Sequence, residues 1–464
     1  VSARIGIRTV GWVRRWLPDP FVFALLLTVA TGAAAALWVG ATPREIVDGW
    51  YDGFWMLLEF GMQMVLILVT GYAIALAPPM TRLVDRLAGA LTSPGQVYLV
   101  VLVAGALLVW VSWGWVVLTA VLARELASRV RGVDYPYLVA ATYLSSNAWV
   151  VGMSSTIPLL LNTPGNFLID AGLLDGTIPI GRTLGSPLNL AVAAVYLVVM
   201  PATMWLVRPR SGIVELRDLV ESPDPSRPAL AAADRGLDPA LRTPADRLDH
   251  GAALQSAVAL IGLGTVLHRV VSRGFNPDLN LVIFTFLMLG LLLHRTPART
   301  VTAMAKACSN FSGIVFQYPF YAGIMGIMTA TGLGAAVALW VASVSTPTSL
   351  PIAAFLLGGA VNFPIPSAGG EWAVLGPPLV EAVQELAGTV GPAELEGRLA
   401  RVAMAVAYGE TLTNLLQPFF LLTVLPVMGA GVRLRARDIV GYLLLPFAVL
   451  LVIIGALVAL VPIG

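Results

Sequence analysis

The sequence predicts an all-α polytopic membrane protein made of two inverted-topology repeats, and three observations carry that expectation. The first is composition: 464 residues, 58% hydrophobic and 12% charged, with mean hydropathy +0.84, where a soluble domain carries about 25% charge. The second is length, because several apolar stretches reach the roughly 20 residues needed to cross a bilayer. The third is duplication. Trp16-Leu17-Pro18-Asp19 ahead of one apolar run is echoed by Phe275-Asn276-Pro277-Asp278 ahead of another, and Gln63 inside one hydrophobic segment by Gln317 inside a second. The break at Trp113-Gly114 is echoed by Pro366-Ser367-Ala368-Gly369-Gly370, and the polar run Ser145-Ser146-Asn147 by Tyr408-Gly409-Glu410. Paired Gly/Pro-interrupted segments in two halves are the sequence mark of a secondary transporter with its site at the midplane.

Taken in order, the first apolar run, 21–39, is long enough to remain as a transmembrane helix rather than a cleaved signal. Crossings are expected at about 20–40, 53–77, 136–162, 187–207, 251–267, 279–293, 309–330, 400–427 and 440–462. Basic residues favour the cytoplasmic side. Arg4, Arg8, Arg14 and Arg15 therefore place the N-terminus inside, and Glu45, Asp48 and Asp52 place a loop at 41–52 outside. The stretch 95–123 is flanked by Arg82 and Arg86 and by Arg124, Arg129 and Arg131, so both of its ends look cytoplasmic. A helical hairpin that enters and returns satisfies this. The stretch 350–380, between an uncharged VSTPTS and Glu381, Glu385, Glu394 and Glu396, is its mirror image with both ends external; Arg433, Arg435 and Arg437 then return the chain inside and leave the C-terminus external. The expected domains are a first repeat, 1–207 (hairpin about 95–123, broken helix about 136–162), and a second, 251–464 (hairpin about 350–380, broken helix about 400–427). Residues 208–250 form a polar cytoplasmic linker between them. Short amphipathic stretches at 81–91 and 296–306 occupy equivalent places.

Interrupted helices persist in lipid only where protein or a water-filled cavity satisfies their backbone, so the four breaks should converge. Each hairpin tip, at Ser112-Trp113-Gly114 and at Ser367 to Gly370, would present the N-terminus of its second helix, an anion site that needs no basic side chain. That matters because no Lys or Arg lies in the middle of any crossing. Hydroxyls and amides come from Ser145, Ser146, Asn147, Ser154, Ser155 and Thr156 in one break and from Thr411, Thr413, Asn414 and Gln417 in the other, together with Ser367, Gly369 and Gly370. Such density suits a small carboxylate or an oxygen-coordinated sodium ion, the latter near Asn147, Ser367 and Asn414. It also suits helix–helix packing in lipid. Glu410 in mid-crossing and Glu371 beside the second tip are candidates for ion coupling, since intramembrane carboxyls mark ion and proton paths. Trp110, Trp113, Trp115, Trp149 and Trp372 flank the breaks and could wall an apolar pocket.

These strings, with RWLPDPFVFALLLT, DYPYL at 134–138, TPGN at 163–166, VNFPIPSAGGEW at 361–372, AYGETLTNLLQPF at 407–419 and RARDIVGY at 435–442, resemble the bacterial short-chain fatty acid transporter family. The resemblance runs from about residue 12 to about 460. It is carried most specifically by Pro366, Ser367, Gly369, Gly370 and Trp372 and by Tyr408, Gly409, Glu410, Asn414, Gln417, Pro418 and Phe419. Ser145-Ser146-Asn147 is more polar than the family pattern. The resemblance implies paired re-entrant hairpins, elevator-type motion, a dimer, and a multi-pass protein of the bacterial inner membrane.

The expected function is therefore secondary transport of short-chain fatty acids or other small monocarboxylates, coupled to H+ or Na+, without a further cofactor. The alternative is a carrier of dicarboxylates or other small organic anions. An enzyme is disfavoured: the sequence has no HExxH or GxSxG, His250, His268 and His294 lie at or beyond segment ends, and Cys308 is the only cysteine. The expected partners are a carboxylate substrate, the lipid bilayer and a second copy of the chain; nucleic acid is not among them.

Overall fold

The computed structural model describes residues 20–220 except 57, 243–274, and 279–461 except 311, 364, 366, 422–423, 430 and 435–437. The echoed motifs at 16–19 and 275–278, Pro366, and the side chains of Gln317, Pro418 and Phe419 lie outside the described residues. Among them the chain is helical, and the one β-bridge joins Val220 to Val432.

The first half runs α1 (Pro20–Ala34), α2 (Pro43–Met56), α3 (Leu58–Ala75), α4 (Pro78–Ala90), α5 (Pro94–Val111), α6 (Val116–Arg129), α7 (Tyr135–Ser146), α8 (Thr156–Leu161) and α9 (Pro187–Leu206). The second runs α10 (Ala253–Arg273), α11 (Leu279–His294), α12 (Pro297–Asn310), α13 (Ser312–Ala330), α14 (Leu333–Ser343), α15 (Leu350–Val361), α16 (Ala368–Ala387), α17 (Pro392–Thr413) and α18 (Leu444–Leu460). Among the described residues Pro94–Val111, Pro187–Leu206 and Pro244–Arg273 are each long and apolar enough to cross a membrane.

Three expectations are corrected. Most of 41–52 is not a loop: residues 43–52 open α2, whose acidic residues are exposed while its glycine side packs on α13. The span 53–77 is accordingly split between α2 and α3. Residues 333–343, unassigned in the sequence reading, form α14 after a sharp turn at Gly332 (φ 71°). At 11 residues, α14 falls below the length that identifies a crossing. His268 also lies within α10 rather than at a segment end.

The α2–α13 crossing depends on missing side chains. A Cβ on Gly53 would stand 2.5 Å from the Gly326 Cα, and one on Gly49 would stand 2.8 Å from the Ala330 Cβ. Backbones approach this closely only through small residues, the usual glue between helices in lipid.

Around the breaks the two halves share a packing logic. In the first, α5 and α6 fold against each other and both pack on α7. In the second, α15 and α16 both pack on α17, with α15 in the tighter contact. Gly409 makes that contact possible, because a Cβ there would lie 1.9 Å from the Phe355 carbonyl oxygen.

The described part of the polar linker docks on the ends of α6 and α7. Val214 O accepts from Tyr135 N (2.8 Å), Asp134 Oδ2 accepts from Val214 N (3.1 Å), and Glu215 Oε1 accepts from Gly132 N (3.0 Å). Burial pushes the Asp134 carboxyl above the usual range, against the lowering pull of the Tyr137 and Val214 amides. Leu219 O then accepts from Arg433 N (2.9 Å), which straps the first half to the segment that follows the second break.

Gly326→Val is expected to force α2 and α13 apart. Overpacking of this kind costs typically 1–3 kcal/mol, so the midpoint of thermal unfolding in detergent should fall clearly below wild type. An unchanged midpoint would show that this crossing does not hold the fold.

Candidate functional site

The first tip forms because α5 cannot continue: Ser112 is extended (φ −153°, ψ 129°), and one 3-10 turn, Trp113–Trp115, leads into α6. Gly71 on α3 lets the tip approach, since a Cβ there would meet the Gly114 Cα at 3.0 Å. The tip is stitched to the break after α7. Trp113 N donates to Ser154 Oγ (2.9 Å), Ser154 Oγ donates to Val109 O (3.1 Å), Met153 N donates to Trp110 O (2.7 Å), and Trp110 Nε1 donates to Val151 O (2.5 Å).

The second break follows α17, where Asn414–Leu416 form a 3-10 turn. Its organiser is Asn362 at the end of α15. Its Nδ2 reaches Glu410 O (2.9 Å), Thr413 Oγ1 (2.8 Å) and Asn414 Oδ1 (2.6 Å), and its backbone oxygen accepts from Gln417 Nε2. Because Glu410 O can only accept, the amide orientation is fixed. Asn362 Oδ1 is therefore turned away from that group, buried and without a described partner.

Both breaks join. Asn147 Nδ2 donates to Thr411 O (2.7 Å), and Tyr143 OH donates to Asn414 O and to Gln417 O (3.3 Å). Tyr408 OH donates to Asn189 Oδ1 (2.9 Å), whose Nδ2 returns to Val151 O (3.0 Å) in the first break. The two breaks, the first tip and the end of α15 are thus hydrogen-bonded together.

The carboxyl groups differ in their surroundings. Glu410 Oε1 accepts from Asn414 Nδ2 (3.2 Å) and Oε2 from Thr411 Oγ1 (3.2 Å). Glu371, one residue past Gly370 in the first turn of α16, is fully buried, and neither carboxyl oxygen has a described partner. Its Oε1 would lie 3.2 Å from a Cβ on Gly358, beside the Val406 carbonyl and so one turn along α17 from Glu410. Residues 143–162, 362–372 and 407–417 contain no Lys, Arg or His, and among the described residues no group of three or more His, Cys, Asp or Glu could hold a metal ion.

The remaining sequence candidates divide. Ser112, Ser155 and the indole nitrogens of Trp115 and Trp372 are buried without described partners, so they are donors in reserve. Ser145 and Ser146 donate back to Thr142 O (2.7 Å) and Tyr143 O (2.6 Å) within α7, and Ser145 packs against Gly105 of α5. Ser367 accepts from Gly370 N (3.3 Å), which starts α16. Thr156, Gly369 and Gly370 are buried at their helix starts. Of the amide groups offered for sodium, Asn414 Oδ1 is engaged by Asn362, and Asn147 meets Thr411 through its nitrogen. Trp113 lies 6.3 Å from Trp149 and 6.0 Å from Phe420, whereas Trp115 stacks on Phe286. Gln63 donates to Asn280 of α11 (3.0 Å), away from the breaks. Asn189 and Asn362 were missed. Their only signal is a lone amide inside an apolar run, a polar residue that is costly in a membrane unless it has a task.

A family model described as "Short chain fatty acid transporter" matches residues 1–461. A protein of Escherichia coli K12 with a provisional short-chain fatty acid transporter name is 37% identical over 441 residues, covering 95% of each chain. Its counterpart in Haemophilus influenzae is 33% identical over 448 residues, again covering 95% of each. Among solved structures, the Alcanivorax borkumensis YdaH transporter superposes with TM-score 0.50 at 16% identity, covering 95% of this chain and 98% of that one. Neisseria gonorrhoeae MtrF, described within a class of antimetabolite efflux pumps, gives TM-score 0.47 at 18% identity, covering 98% and 97%. The all-helical fold is that of a transporter and not an enzyme, and the chain belongs to the short-chain fatty acid transporter family.

Proposed function

We propose that this protein is a secondary active transporter of short-chain monocarboxylates across the bacterial cytoplasmic membrane, coupled to protons through Glu371 and Glu410. One observation carries the reading: the two tips and two breaks close on a buried polar network that holds neutral donors and two carboxyl groups but no basic side chain. A carboxylate substrate there is met by hydroxyls, indole N–H groups and the helix starts at Val116 and Ala368. A charge at the membrane centre costs on the order of 3 kcal/mol by insertion scales and more by simulation. Bringing a carboxylate beside Glu371 and Glu410 therefore calls for a neutralising cation, and a proton is the smallest. Asn414 Oδ1 already accepts from Asn362 Nδ2, whereas the Asn147 Nδ2 bond to Thr411 O leaves Asn147 Oδ1 as an acceptor, so a sodium gradient is the control that the proton reading has to pass.

In this reading α5–α6 and α15–α16 are re-entrant hairpins of two inverted repeats, joined by the linker 208–250. They move with α7–α8 and α17 as an elevator against a scaffold that includes α2, α3, α11 and α13. The N-terminus is cytoplasmic and the C-terminus external. The scaffold pairs with a second copy, and α10, mostly exposed along its length, supplies apolar surface for lipid or that copy. A dicarboxylate carrier is the second reading; a second negative charge would enter a site with no guanidinium to receive it.

The primary test is counterflow of labelled butyrate in proteoliposomes. Butyrate and acetoacetate should compete at least tenfold better than succinate, and equal competition by succinate would transfer the assignment to dicarboxylates. Glu410→Gln should lower accumulation driven by an imposed pH gradient at least tenfold and flatten its pH dependence. Wild-type pH dependence in both Glu410→Gln and Glu371→Gln, or accumulation driven by a sodium gradient alone, would remove proton coupling from these residues. Asn362→Ala leaves Glu410 O, Thr413 and Asn414 without their shared donor, and a buried group so deprived costs about 1–3 kcal/mol. Its transport rate should fall at least tenfold while the protein still assembles and purifies; normal transport would deny the residue its organising place.

A further inference from the structure

Away from the polar network, a cavity of about 220 Å³ opens where α15 begins, α16 ends and α17 begins, walled on its far side by Ala459 at the end of α18. Its lining is divided by chemistry. Leu350, Val383 and Leu386 form an apolar wall, while Arg398 and Arg401 bring two guanidinium groups and Thr348 a hydroxyl. Residues three apart on a helix share a face, so both arginines project from one side of α17 into the same space.

The two are held differently. Arg401 is anchored, its Nε and Nη2 donating to Val458 O (3.3 and 2.6 Å) and its Nη2 also to Ala459 O (3.2 Å), which leaves Nη1 for another acceptor. Arg398 pairs with Glu394 through one contact, Nη2 to Oε1 at 2.6 Å, and that carboxylate is more than half exposed. An exposed i,i+4 pair is weak, so an incoming anion displaces it at little cost. Cations at the mouth of a cleft with low-dielectric walls raise the local concentration of anions.

We propose that this cavity is a second, superficial anion site, which takes a singly charged head on Arg398 and Arg401 and a short apolar tail against Val383 and Leu386. The shared chemistry is a singly charged oxyanion on an apolar chain, and its two sources are the carboxylate of a short-chain acid and the headgroup of a net-anionic lipid. The carboxylate source rests on the transport reading above. Arg401 and Glu410 lie nine residues apart on α17, about 14 Å at 1.5 Å per residue, so a ligand held here does not touch the coupling carboxyls. The site is a waiting position on the helix that carries them.

The test uses the full-length protein in nanodiscs, with Cys308, which is exposed, replaced by Ser and Thr348→Cys carrying a polarity-sensitive fluorophore. In phosphatidylcholine discs, butyrate should give a saturable change whose midpoint rises about tenfold in Arg398→Gln and also rises with salt. If the occupant is lipid phosphate, the probe is instead already shifted in discs containing phosphatidylglycerol, before butyrate is added, and Arg398→Gln reverses the shift. Either outcome supports the site and names its source. A probe that responds to neither ligand, or equally in Arg398→Gln, overturns it. Labelled butyrate uptake by the same protein separates the two readings: binding without uptake retains the cavity and sinks the transport assignment, and uptake without binding does the reverse.

Discussion

The bond from Asn147 to the Thr411 carbonyl, with that from Tyr143 to Asn414, makes this fold workable in a membrane. Breaking a helix in hydrocarbon strands backbone N–H and C=O groups, each costing several kcal/mol if left unpaired. Here side chains brought in by packing supply the missing partners. Break two is satisfied by Asn147 and Tyr143 from the first half and by Asn362 from α15. Break one is satisfied by Trp110, Asn189 and the Trp113 amide. Neither half can be withdrawn without orphaning polar groups in the other, so α5–α8 and α15–α17 behave as one body. The linker strap from Val214 and Leu219 to Tyr135 and Arg433 ties the same body at its end.

Contacts from that body to α2, α3, α11 and α13 are of another kind. Gly71 passes Gly114 backbone to backbone, and Gln63 and Asn280 pair with each other within α3 and α11. Trp115 also lies stacked on Phe286 of α11, so this contact is made of close backbone and ring packing and not of the hydrogen-bonded knots found at the breaks. Under the proposed elevator reading, that difference would let the hydrogen-bonded body move as a unit against the rest.

How much of this was legible depended on contrast. Ser145 to Thr156 and Tyr408 to Gln417 stood out because polar residues were dense inside apolar runs, and Glu371 and Glu410 because charge is rare there. Density proved a poor guide to task, since Ser145 and Ser146 are absorbed by their own helix while the lone Asn189 and Asn362 bridge elements. A single amide in an apolar segment carries little signal by composition; its value lies in where tertiary packing puts it. The α2 helix was hidden for the opposite reason. Its acidic residues suggested a loop, while its glycine face, matched to Gly326, becomes meaningful only beside α13.

The placement of basic residues follows from what a carrier must do. A guanidinium at the centre would hold a carboxylate bidentately, a charge-assisted pair roughly twice as strong as neutral hydrogen bonds and stronger still in a low dielectric. A carrier must also let go, and a site that binds too well stops turning over. In the proposed site, neutral donors such as Ser112, Ser155, Trp115 and Trp372, which are buried without described partners, would offer a shallower well. Under the proposed proton coupling, the carboxyls would make that depth conditional: the anion is tolerated while the proton is present and repelled once it leaves. Arg398 and Arg401, by contrast, are half-buried at the mouth of a separate cavity, where an anion held as proposed would be partly screened by water. Attraction is strongest where it is screened and weakest where it is not, and that gradient suits a chain whose cargo must pass through rather than stay.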